Sequence, residues 1–515
     1  MDKKQKKIFL TLLALSMALF IILVPLNAGG AESADMLKTV AVDHAAQYAY
    51  VVKMLPQTNS VIEILKKSLF YEHYIYGFPF YGLSALSVFP VRLSTGAAFP
   101  EQVQLNILIL RQVVSVLPML ASILIMVYLQ TRFRSWWKAL GLFVFLAIIP
   151  GLVRNNIRFW HPDALALFFS ILALYFLDRD QFRFGRHFYL AAVCCGLTIG
   201  TKLYGVFFCL AIAVYLIWGW TRRAISLKRM ILAGVLFILI MTAAVFLSNP
   251  AMFFADVRAN LFDIQQTQNY HVLNGWDNGV IYRTGLTAWF PVWMDYYGFI
   301  WFIGLAVLSL LVLCWKSSSR KLGILILAWI VPYSIYLIGW VAIKPFHYWF
   351  PVMLPLLSCV VALPETGFEL LLMRWRKTGT LSMASAAVFT AVITLAILFQ
   401  AGTYIRQDIS MVQALQRKVD LYAACNSKPL NQLDGKPVAL AAGYWYQVIT
   451  YDLTTDPPTY AYDIQTGPGE VAGDSQKGRQ AWKCNSQEKA LFHAEWEAKE
   501  FRSDHPSYLI TGPGE

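Results

Sequence analysis

An acidic residue followed by a histidine, Asp43-His44, comes shortly after the first hydrophobic segment of the chain. A carboxylate held beside a lipid surface can take the proton from a hydroxyl group that acts as a nucleophile. We therefore regard Asp43 as a candidate catalytic base and His44 as a candidate substrate ligand. The alternative is a solvated loop pair, which is the more common role of an exposed aspartate.

A second acid and histidine, Glu72 and His73, lie within the aromatic segment Tyr71–Gly82. Aromatic residues in such numbers are typical of the belt that membrane proteins form at the lipid–water interface. That interpretation does not require Glu72 or His73, so both are candidate substrate ligands.

The segment from Arg154 to Asp163 precedes a long apolar stretch and contains Arg158 and the sequence His161-Pro162-Asp163. Proline and aspartate at a helix start are ordinary capping residues. Ionisable groups that flank a lipid-buried segment are nevertheless candidates for function. Asp163 is a second catalytic candidate that can also cap its helix, and Arg154 and Arg158 are candidate substrate ligands.

Cationic and polar residues occur at the ends of later apolar stretches. Lys202 interrupts one of them, where it either extends its ammonium group to the interface or binds a phosphate as a point charge. His271 follows a series of amide side chains, a composition that fits both a sugar site and a generic polar loop. His347 and Tyr348 repeat the pattern near a later helix, and all four residues are candidate substrate ligands.

The composition indicates a membrane protein. Of 515 residues, 57% are hydrophobic and only 14% are charged, whereas soluble domains contain about a quarter charged residues. The formal net charge is +13, but the cations cluster in short loops between apolar runs. This is the distribution that orients membrane proteins, with the positive loops inside. We therefore expect contact with membrane lipid and no nucleic-acid partner.

The hydrophobic segments predict a polytopic α-helical membrane protein with about eleven crossings. In this topology the N-terminus is cytoplasmic and the segment Phe78–Leu93 does not cross completely. The outer side is then shared by Asp43, Arg154–Asp163, Asn249–Trp293, Lys344–Tyr348 and the C-terminal region, and we expect Asp43, Asp163, Lys202, His271 and His347 to line one outer cavity. We expect the bacterial inner (plasma) membrane. The predicted crossings are Ile8–Leu26, Ile107–Leu129, Ala139–Pro150, Ala164–Leu177, Phe188–Lys202, Val206–Trp220, Met230–Leu247, Gly298–Leu313, Leu322–Trp340, Trp349–Leu372 and Leu381–Phe399.

The composition changes after Gln400, which divides the chain into a transmembrane domain (1–400, with outer loops 28–80 and 249–292) and a C-terminal region (401–515). Arg406–Leu421 predicts an amphipathic helix, and short alternating runs such as Val438–Ala442 predict strands. We expect a small extracytoplasmic α+β domain here. Cys425 and Cys484 lie in it and could form a disulfide if the region faces an oxidising compartment.

Taken together, these segments resemble the GT-C membrane glycosyltransferases, particularly the branch of protein O-mannosyltransferases and lipid A aminoarabinose transferases. The resemblance spans roughly residues 1–400. It departs from the family at His44, where relatives more often have a second acid, and at Tyr76–Pro79, where they have a run of the Lys-Pro-Pro-Leu type. The matching elements are Asp43, Tyr76–Tyr81, Arg111, Arg158…Asp163, Gly196–Lys202, Asn249-Pro250 and His347-Tyr348…Pro351.

The resemblance implies transfer of a sugar from a polyprenyl-phosphate donor to a hydroxyl group of a glycan, lipid or protein, with inversion at the anomeric carbon. Asp43 would take the proton of the acceptor, and Asp163 would orient the acceptor or support the base. Lys202 and one of Arg154 or Arg158 would stabilise the departing lipid phosphate, because cations act best where charge develops.

His271, Glu72 and His73 would position the substrate or, as an alternative, bind a divalent metal ion; no other cofactor is implied. Two other classes of function stay open. A transporter or flippase for lipid-linked sugars usually shows internal repeats with interrupted helices, and the sequence shows no such halves. A non-catalytic sensor of the cell envelope would leave Asp43 and Asp163 without a role.

Overall fold

The computed structural model describes residues 2–58, 60–275, 282–316, 319–364 and 383–427, and four strands between residues 437 and 483. The long apolar stretches form helices, which satisfy every backbone amide internally, as a hydrocarbon environment requires. The helices are α1 (Lys3–Ala28), α2 (Ala34–Val40), α3 (Val42–Met54), α4 (Val61–Leu69), α5 (Phe78–Thr95), α6 (Val103–Leu110), α7 (Leu117–Thr131), α8 (Trp136–Ala147), α9 (Pro150–Asn156), α10 (Pro162–Asp180), α11 (Arg186–Thr201), α12 (Cys209–Thr221), α13 (Leu227–Ser248), α14 (Ala255–Asn274), α15 (Phe290–Tyr296), α16 (Ile300–Trp315), α17 (Arg320–Gly339), α18 (Phe350–Ser358) and α19 (Met383–Ser427).

Seven helical stretches in the described part of the chain are long and apolar enough to cross a membrane. Two further pairs, α8 with α9 and α15 with α16, pass the same test but bend by 69° and 90° at short breaks. If each bent pair counts as one crossing, the total is nine. A polytopic helical membrane protein is therefore confirmed.

The predicted number of about eleven crossings is higher than the structure supports. The difference comes from α10 and α11, which form at the predicted places but do not pass as spans. Helix α10 has charged residues at both ends, and α11 has only 16 residues. The two helices pack against each other, and α10 is mostly buried in the bundle, whereas α11 leaves Leu190 and Val193 exposed. Helix α5 is also absent from the candidate spans.

The segments predicted as outer loops contain helices. Asp43 lies in the first turn of α3, where its negative charge is favourable near the helix N-terminus. The amide-rich segment after Asn249 forms the 20-residue helix α14. Residues 406–421 are not a separate helix, because they belong to the long helix α19, whose candidate span runs from Ala387 to Gln416.

The C-terminal region contributes four antiparallel strands, and β1 and β2 overlap the predicted ones. The residues between the strands lie outside the described part of the chain, and so do those after β4, which include Cys484. The α+β domain and the disulfide between Cys425 and Cys484 therefore stay predictions. The strands, paired in the order β1-β2-β3-β4, are β1 (Pro437–Ala442), β2 (Trp445–Asp452), β3 (Thr459–Gln465) and β4 (Arg479–Lys483).

Two apolar cores meet near the start of α10. The larger core runs through the bundle and includes Trp329 and Trp349. The second lies around α3 and α5 and includes Phe80 and Trp160. Phe159 packs against the first core and its neighbour Trp160 is part of the second. The chain at residues 159–163 is thus held from both sides, which fixes the side chains that follow.

Candidate active site

Asp163 is the centre of a buried group of ionisable side chains. It lies in the first turn of α10 and is 1% exposed. The ammonium Nζ of Lys202 lies 2.7 and 2.9 Å from its two carboxylate oxygens. The ring Nδ1 of His161 makes a short hydrogen bond to Asp163 Oδ2. A buried carboxylate needs such partners, because an isolated charge is costly in an apolar interior.

The helix ends explain why Asp163 and Lys202 meet. Helix α10 begins at Pro162 and the antiparallel helix α11 ends at Thr201, so both ends lie at the same face of the bundle. Lys202 follows α11 in an extended conformation, and its backbone amide donates to the Thr198 carbonyl at 2.8 Å. The extended residue directs the lysine side chain across the helix end toward Asp163.

The group extends through His161 to an aromatic wall. The Tyr76 hydroxyl lies 2.6 Å from His161 Nε2, and the rings of His161 and His347 are 4.5 Å apart. His347 Nε2 is 3.9 Å from Asp163 Oδ2, and the Tyr348 ring lies 4.7 Å from Lys202 Nζ. His347 and Tyr348, predicted as substrate ligands, are therefore brought together with Asp163 and Lys202.

Asp43 is the exposed acid beside this buried group. Its side chain is open to solvent at the start of α3. Burial raises the pKa of Tyr76 well above its usual value, and the charge of Asp43 adds to this shift. Asp43 is thus within electrostatic reach of the hydroxyl that contacts His161. Asp163, Lys202 and His347 lie together, whereas His271, which was expected in the same group, contacts Gly275 at the end of α14.

His44 is a buried structural contact in this conformation. It is 4% exposed, and its Nε2 accepts a hydrogen bond from the Trp160 backbone amide at 3.0 Å. Its ring packs edge-on against Phe159. His44 therefore positions the segment that leads into Asp163, and a direct contact with substrate would require that segment to move.

The two arginines of the segment have different surroundings. Arg158 bonds to the carbonyls of Leu26 and Leu415 at 3.0 and 2.6 Å and to Gln416 Oε1 at 2.6 Å. These bonds join α1 to α19, which gives Arg158 a structural role. Arg154 donates to the Ile157 carbonyl at 2.9 Å and lies over the Phe159 ring. Of the two, Arg154 is the better candidate for a phosphate ligand.

The remaining predicted ligands lie at other contacts. Glu72 forms an exposed ion pair with Lys53 at 3.3 Å. His73 stacks on Tyr50 and makes a short hydrogen bond with Tyr81. Burial lowers the pKa of His73 to about 4. His271 Nδ1 is 3.3 Å from the Gly275 carbonyl in the last turn of α14. The structure gives each of Glu72, His73 and His271 a partner of its own.

A metal ion would find a different set of ligands from the one predicted. Among the described residues, His161, Asp163 and His347 offer ligand atoms within 4.8 Å of one another. Imidazole and carboxylate groups suit zinc or a similar ion. However, the Lys202 ammonium already contacts both Asp163 oxygens. A cation is thus supplied by the chain itself at this carboxylate, so we derive no step through a metal.

Sequence reasoning did not select Tyr76, His161 or Asn249 as site residues. Asn249 accepts from the Phe78 amide at 2.7 Å and donates to the Gly200 carbonyl at 3.1 Å, which joins the Tyr76 segment to the end of α11. The signal for His161 was present in the His-Pro-Asp sequence, where a helix cap explains the proline and aspartate but not the histidine.

Comparison by sequence gives one match. Residues 161–275 match the model of the mannosyltransferase (PIG-M) family. The matched segment begins at His161 and includes Asp163, Lys202 and His271. It confirms the predicted resemblance to glycosyltransferases. No curated protein matches the sequence at a significant level.

Comparison by structure gives distant likenesses, and the three described here each share 14% sequence identity with this chain. The apo oligosaccharyltransferase of Archaeoglobus fulgidus aligns with 81% of this chain and 57% of its own at a TM-score of 0.48. The same organism's AglB, in complex with an inhibitory peptide and a dolichol-phosphate, aligns over 79% and 56% at 0.45. ArnT from Cupriavidus metallidurans, bound to undecaprenyl phosphate, aligns over 83% and 82% at 0.46. The chain thus spans little more than half the length of the oligosaccharyltransferases, and TM-scores below 0.5 do not establish a common fold.

Proposed function

We propose that this chain, which resembles the membrane glycosyltransferases of the GT-C type, transfers a sugar from a polyprenyl-phosphate-linked donor to a hydroxyl acceptor. The observation that carries the proposal is the arrangement of two carboxylates. Asp43 is exposed, whereas the nearby Asp163 is buried and paired with Lys202. The family match over residues 161–275 makes mannose the first sugar to test.

Asp43 is the better base of the two acids. Burial by itself would raise the pKa of Asp163, but Lys202, His347 and His161 together lower it well below its usual value. A carboxylate with so low a pKa accepts a proton poorly, since general bases work best with pKa values near the operating pH. Asp43 is solvent-accessible and no such cation contacts it among the described residues, so it is free to approach a hydroxyl group.

In the proposed reaction, a carboxylate oxygen of Asp43 takes the proton of the acceptor hydroxyl. The acceptor oxygen attacks the anomeric carbon from the side opposite the phosphate and forms the new glycosidic bond. The bond between that carbon and the phosphate oxygen breaks, and its electron pair stays on the lipid phosphate. The stereochemistry at the anomeric carbon is therefore inverted.

Lys202 and Arg154 stabilise the departing phosphate in this proposal. The Lys202 side chain is 18% exposed although its ammonium contacts Asp163, so part of the side chain stays accessible. A positive charge fixed in place before the reaction stabilises developing negative charge without reorganisation. Asp163 and Tyr348 hold Lys202 from two sides, and Asp163 thereby acts as a positioning residue.

The test is transfer of radiolabelled mannose from polyprenyl-phosphate mannose in membranes that contain the chain. Asp43→Asn should lower the transfer rate roughly 10²- to 10⁴-fold, the usual contribution of a general base, and should leave donor binding unchanged. The matched control is Glu63→Gln, which removes an exposed acid from α4. Equal transfer by the Asp43→Asn variant would overturn the role of Asp43.

A second experiment separates transfer from the other classes of function. If the wild-type chain transfers no sugar from any polyprenyl-phosphate donor but moves the labelled lipid across the bilayer, the chain is a transporter. The proposed topology places the Asp43 region and the C-terminal region on the same outer side. This is tested by labelling cysteines placed near residues 40 and 440 with a membrane-impermeant reagent. Protection of either position would contradict the proposed topology.

A further inference from the structure

A charged cavity lies at the opposite ends of the helices that carry the candidate active site. Asp163 is in the first turn of α10 and Asp178 is in its last, a separation of roughly 22 Å at 1.5 Å per residue. A cavity of about 900 Å³ opens beside Asp178, between the ends of α7, α10, α12, α16 and α17. We call it the basic cavity, because the described residues that line it include eight cationic side chains and one carboxylate.

Asp178 pairs with two of these cations. Its Oδ2 is 2.5 Å from Arg132 Nη1, and its Oδ1 is 3.5 Å from Lys321 Nζ. The nearby acid Asp180 is buried and bonds to the backbone amides of Phe184 and Gly185, at 2.9 and 3.0 Å, and to a tyrosine hydroxyl. Those bonds build the turn after α10, so Asp180 does not face the cavity.

Four arginines of the basic cavity have no carboxylate partner within the described ranges: Arg134, Arg179, Arg222 and Arg320. Aromatic rings hold two of them. Arg222 lies 4.8 Å from the Trp218 ring centre and 5.8 Å from that of Phe182, and Arg179 lies 6.0 Å from that of Tyr175. A guanidinium group on a ring face keeps its N–H groups available at its edge.

Positive loops by themselves are explained by membrane topology. That explanation requires the cations on one side of the membrane, but it does not require them around a single cavity. Here four separate inter-helix segments, at residues 132–138, 178–182, 222 and 316–322, line the same space. Gathering like charges in one place is unfavourable unless an anion compensates them.

We propose that the basic cavity binds a ligand that carries a phosphate group. Arginine matches phosphate oxygens with two parallel hydrogen bonds, which makes it the residue of choice for such ligands. The volume lies in the range of small-molecule sites, roughly 300–1,000 Å³, and exceeds what a single inorganic phosphate fills. The ligand is therefore a phosphate ester, either the head group of an anionic phospholipid or a soluble molecule.

The position at helix ends makes both sources accessible. Basic pockets between membrane helices bind anionic head groups, and the same opening admits a soluble ester from the aqueous phase. The two sources share the phosphate chemistry and differ in whether the ligand needs a bilayer. The basic cavity is distinct from the proposed transfer site, so this proposal does not depend on the transfer activity.

The test uses the purified full chain and two probes. One probe is phosphatidylglycerol, offered in phosphatidylcholine nanodiscs and detected by native mass spectrometry. The other is glycerol 3-phosphate in solution, measured by calorimetry. The double variant Arg179→Gln/Arg222→Gln should weaken binding roughly tenfold or more, because each lost bond to a charged group costs at least about one factor of ten.

The matched control is Arg183→Gln/Arg223→Gln, which removes two exposed arginines from the same two turns without touching the cavity lining. If Arg179→Gln/Arg222→Gln loses only the binding of phosphatidylglycerol, the cavity is a head-group site. If it loses only the binding of glycerol 3-phosphate, the cavity is a site for a soluble metabolite. Equal binding by both double variants, or no binding of either probe to the wild type, overturns the proposal. Unfolding temperatures of the two variants verify that both are folded.

Discussion

Lys202 Nζ lies 2.7 and 2.9 Å from the two carboxylate oxygens of Asp163, and the carboxylate is 1% exposed. The two residues are 39 positions apart in the sequence and lie at the adjoining ends of α10 and α11. The carboxylate accepts from the ammonium group with both of its oxygens, which fixes the position of the lysine side chain. This pair connects the stability of the bundle to the chemistry that we propose.

Removing one partner of the pair should destabilise the protein. Asp163→Asn leaves the Lys202 ammonium without a counter-charge, and we expect a loss below the roughly 3–5 kcal/mol typical of fully buried pairs, because Lys202 retains 18% exposure. The double variant Asp163→Asn/Lys202→Met removes both charges and should recover part of the loss. Thermal unfolding in detergent measures the stability of the double variant and of each single variant, Asp163→Asn and Lys202→Met. If the losses of the two single variants add up to the loss of the double variant, the two side chains do not interact directly.

Arg158 should be needed for the connection between α1 and α19. Arg158→Lys keeps the charge but replaces the planar group that contacts Leu26, Leu415 and Gln416. We expect a loss of about 1.5–3 kcal/mol of unfolding free energy for each bond that lysine does not replace. Arg406→Lys, an exposed arginine of α19, is the control. If both variants unfold at the wild-type temperature, the anchoring role is wrong.

The positions of the helices were predicted from the sequence more accurately than the number of membrane crossings. Apolar runs of the right length identify helices, but burial inside a protein and burial in lipid require the same side chains. Helices α10 and α11 illustrate the ambiguity, because each forms where a crossing was predicted but does not have the length and composition of a span. Only the arrangement of neighbouring helices distinguishes the two cases.

Partners distant in the sequence were not predictable. Asp163, Lys202 and His347 were candidates because ionisable groups that flank a lipid-buried segment are candidates for function, and the fold brings them together. Arg158 was a candidate for the same reason, yet one of its partners is 257 residues away. A periodic pattern reports which face of a helix is apolar and carries no information about such a contact. The roles assigned to the individual site residues stay predictions.

The hydrogen bond of His44 predicts a dependence of stability on pH. Burial, followed by the charges of Arg111, Arg154 and His161, lowers the pKa of His44 well below its ordinary value of 6.5. The neutral ring accepts from the Trp160 amide, and protonation would abolish that bond. The contribution of His44 is therefore complete above pH 6.5 and is lost as the pH falls below it, because the unfolded chain binds the proton first.

The measurement for His44 is the unfolding temperature between pH 5 and pH 8. The wild type should lose stability toward pH 5, and His44→Asn, which cannot take up a proton, should be less stable at pH 8 but show a smaller decrease. The difference between the two proteins isolates this histidine from other groups that titrate in the same range. Parallel curves would show that His44 does not titrate differently in the folded and unfolded chain.

Gly77 should tolerate no side chain, because it holds the Tyr76 segment against the end of α11. Its amide donates to the Thr201 carbonyl at 3.1 Å, and a Cβ atom would overlap the backbone carbonyl of Gly200. Gly77→Ala must push Tyr76 away from the residues around Lys202, so we expect a loss of roughly 1–3 kcal/mol or more and reduced sugar transfer. Gly304→Ala, where a Cβ atom meets nothing within 4 Å, should keep stability and transfer. Full transfer by Gly77→Ala would show that the contact between the Tyr76 segment and α11 is not needed for the reaction.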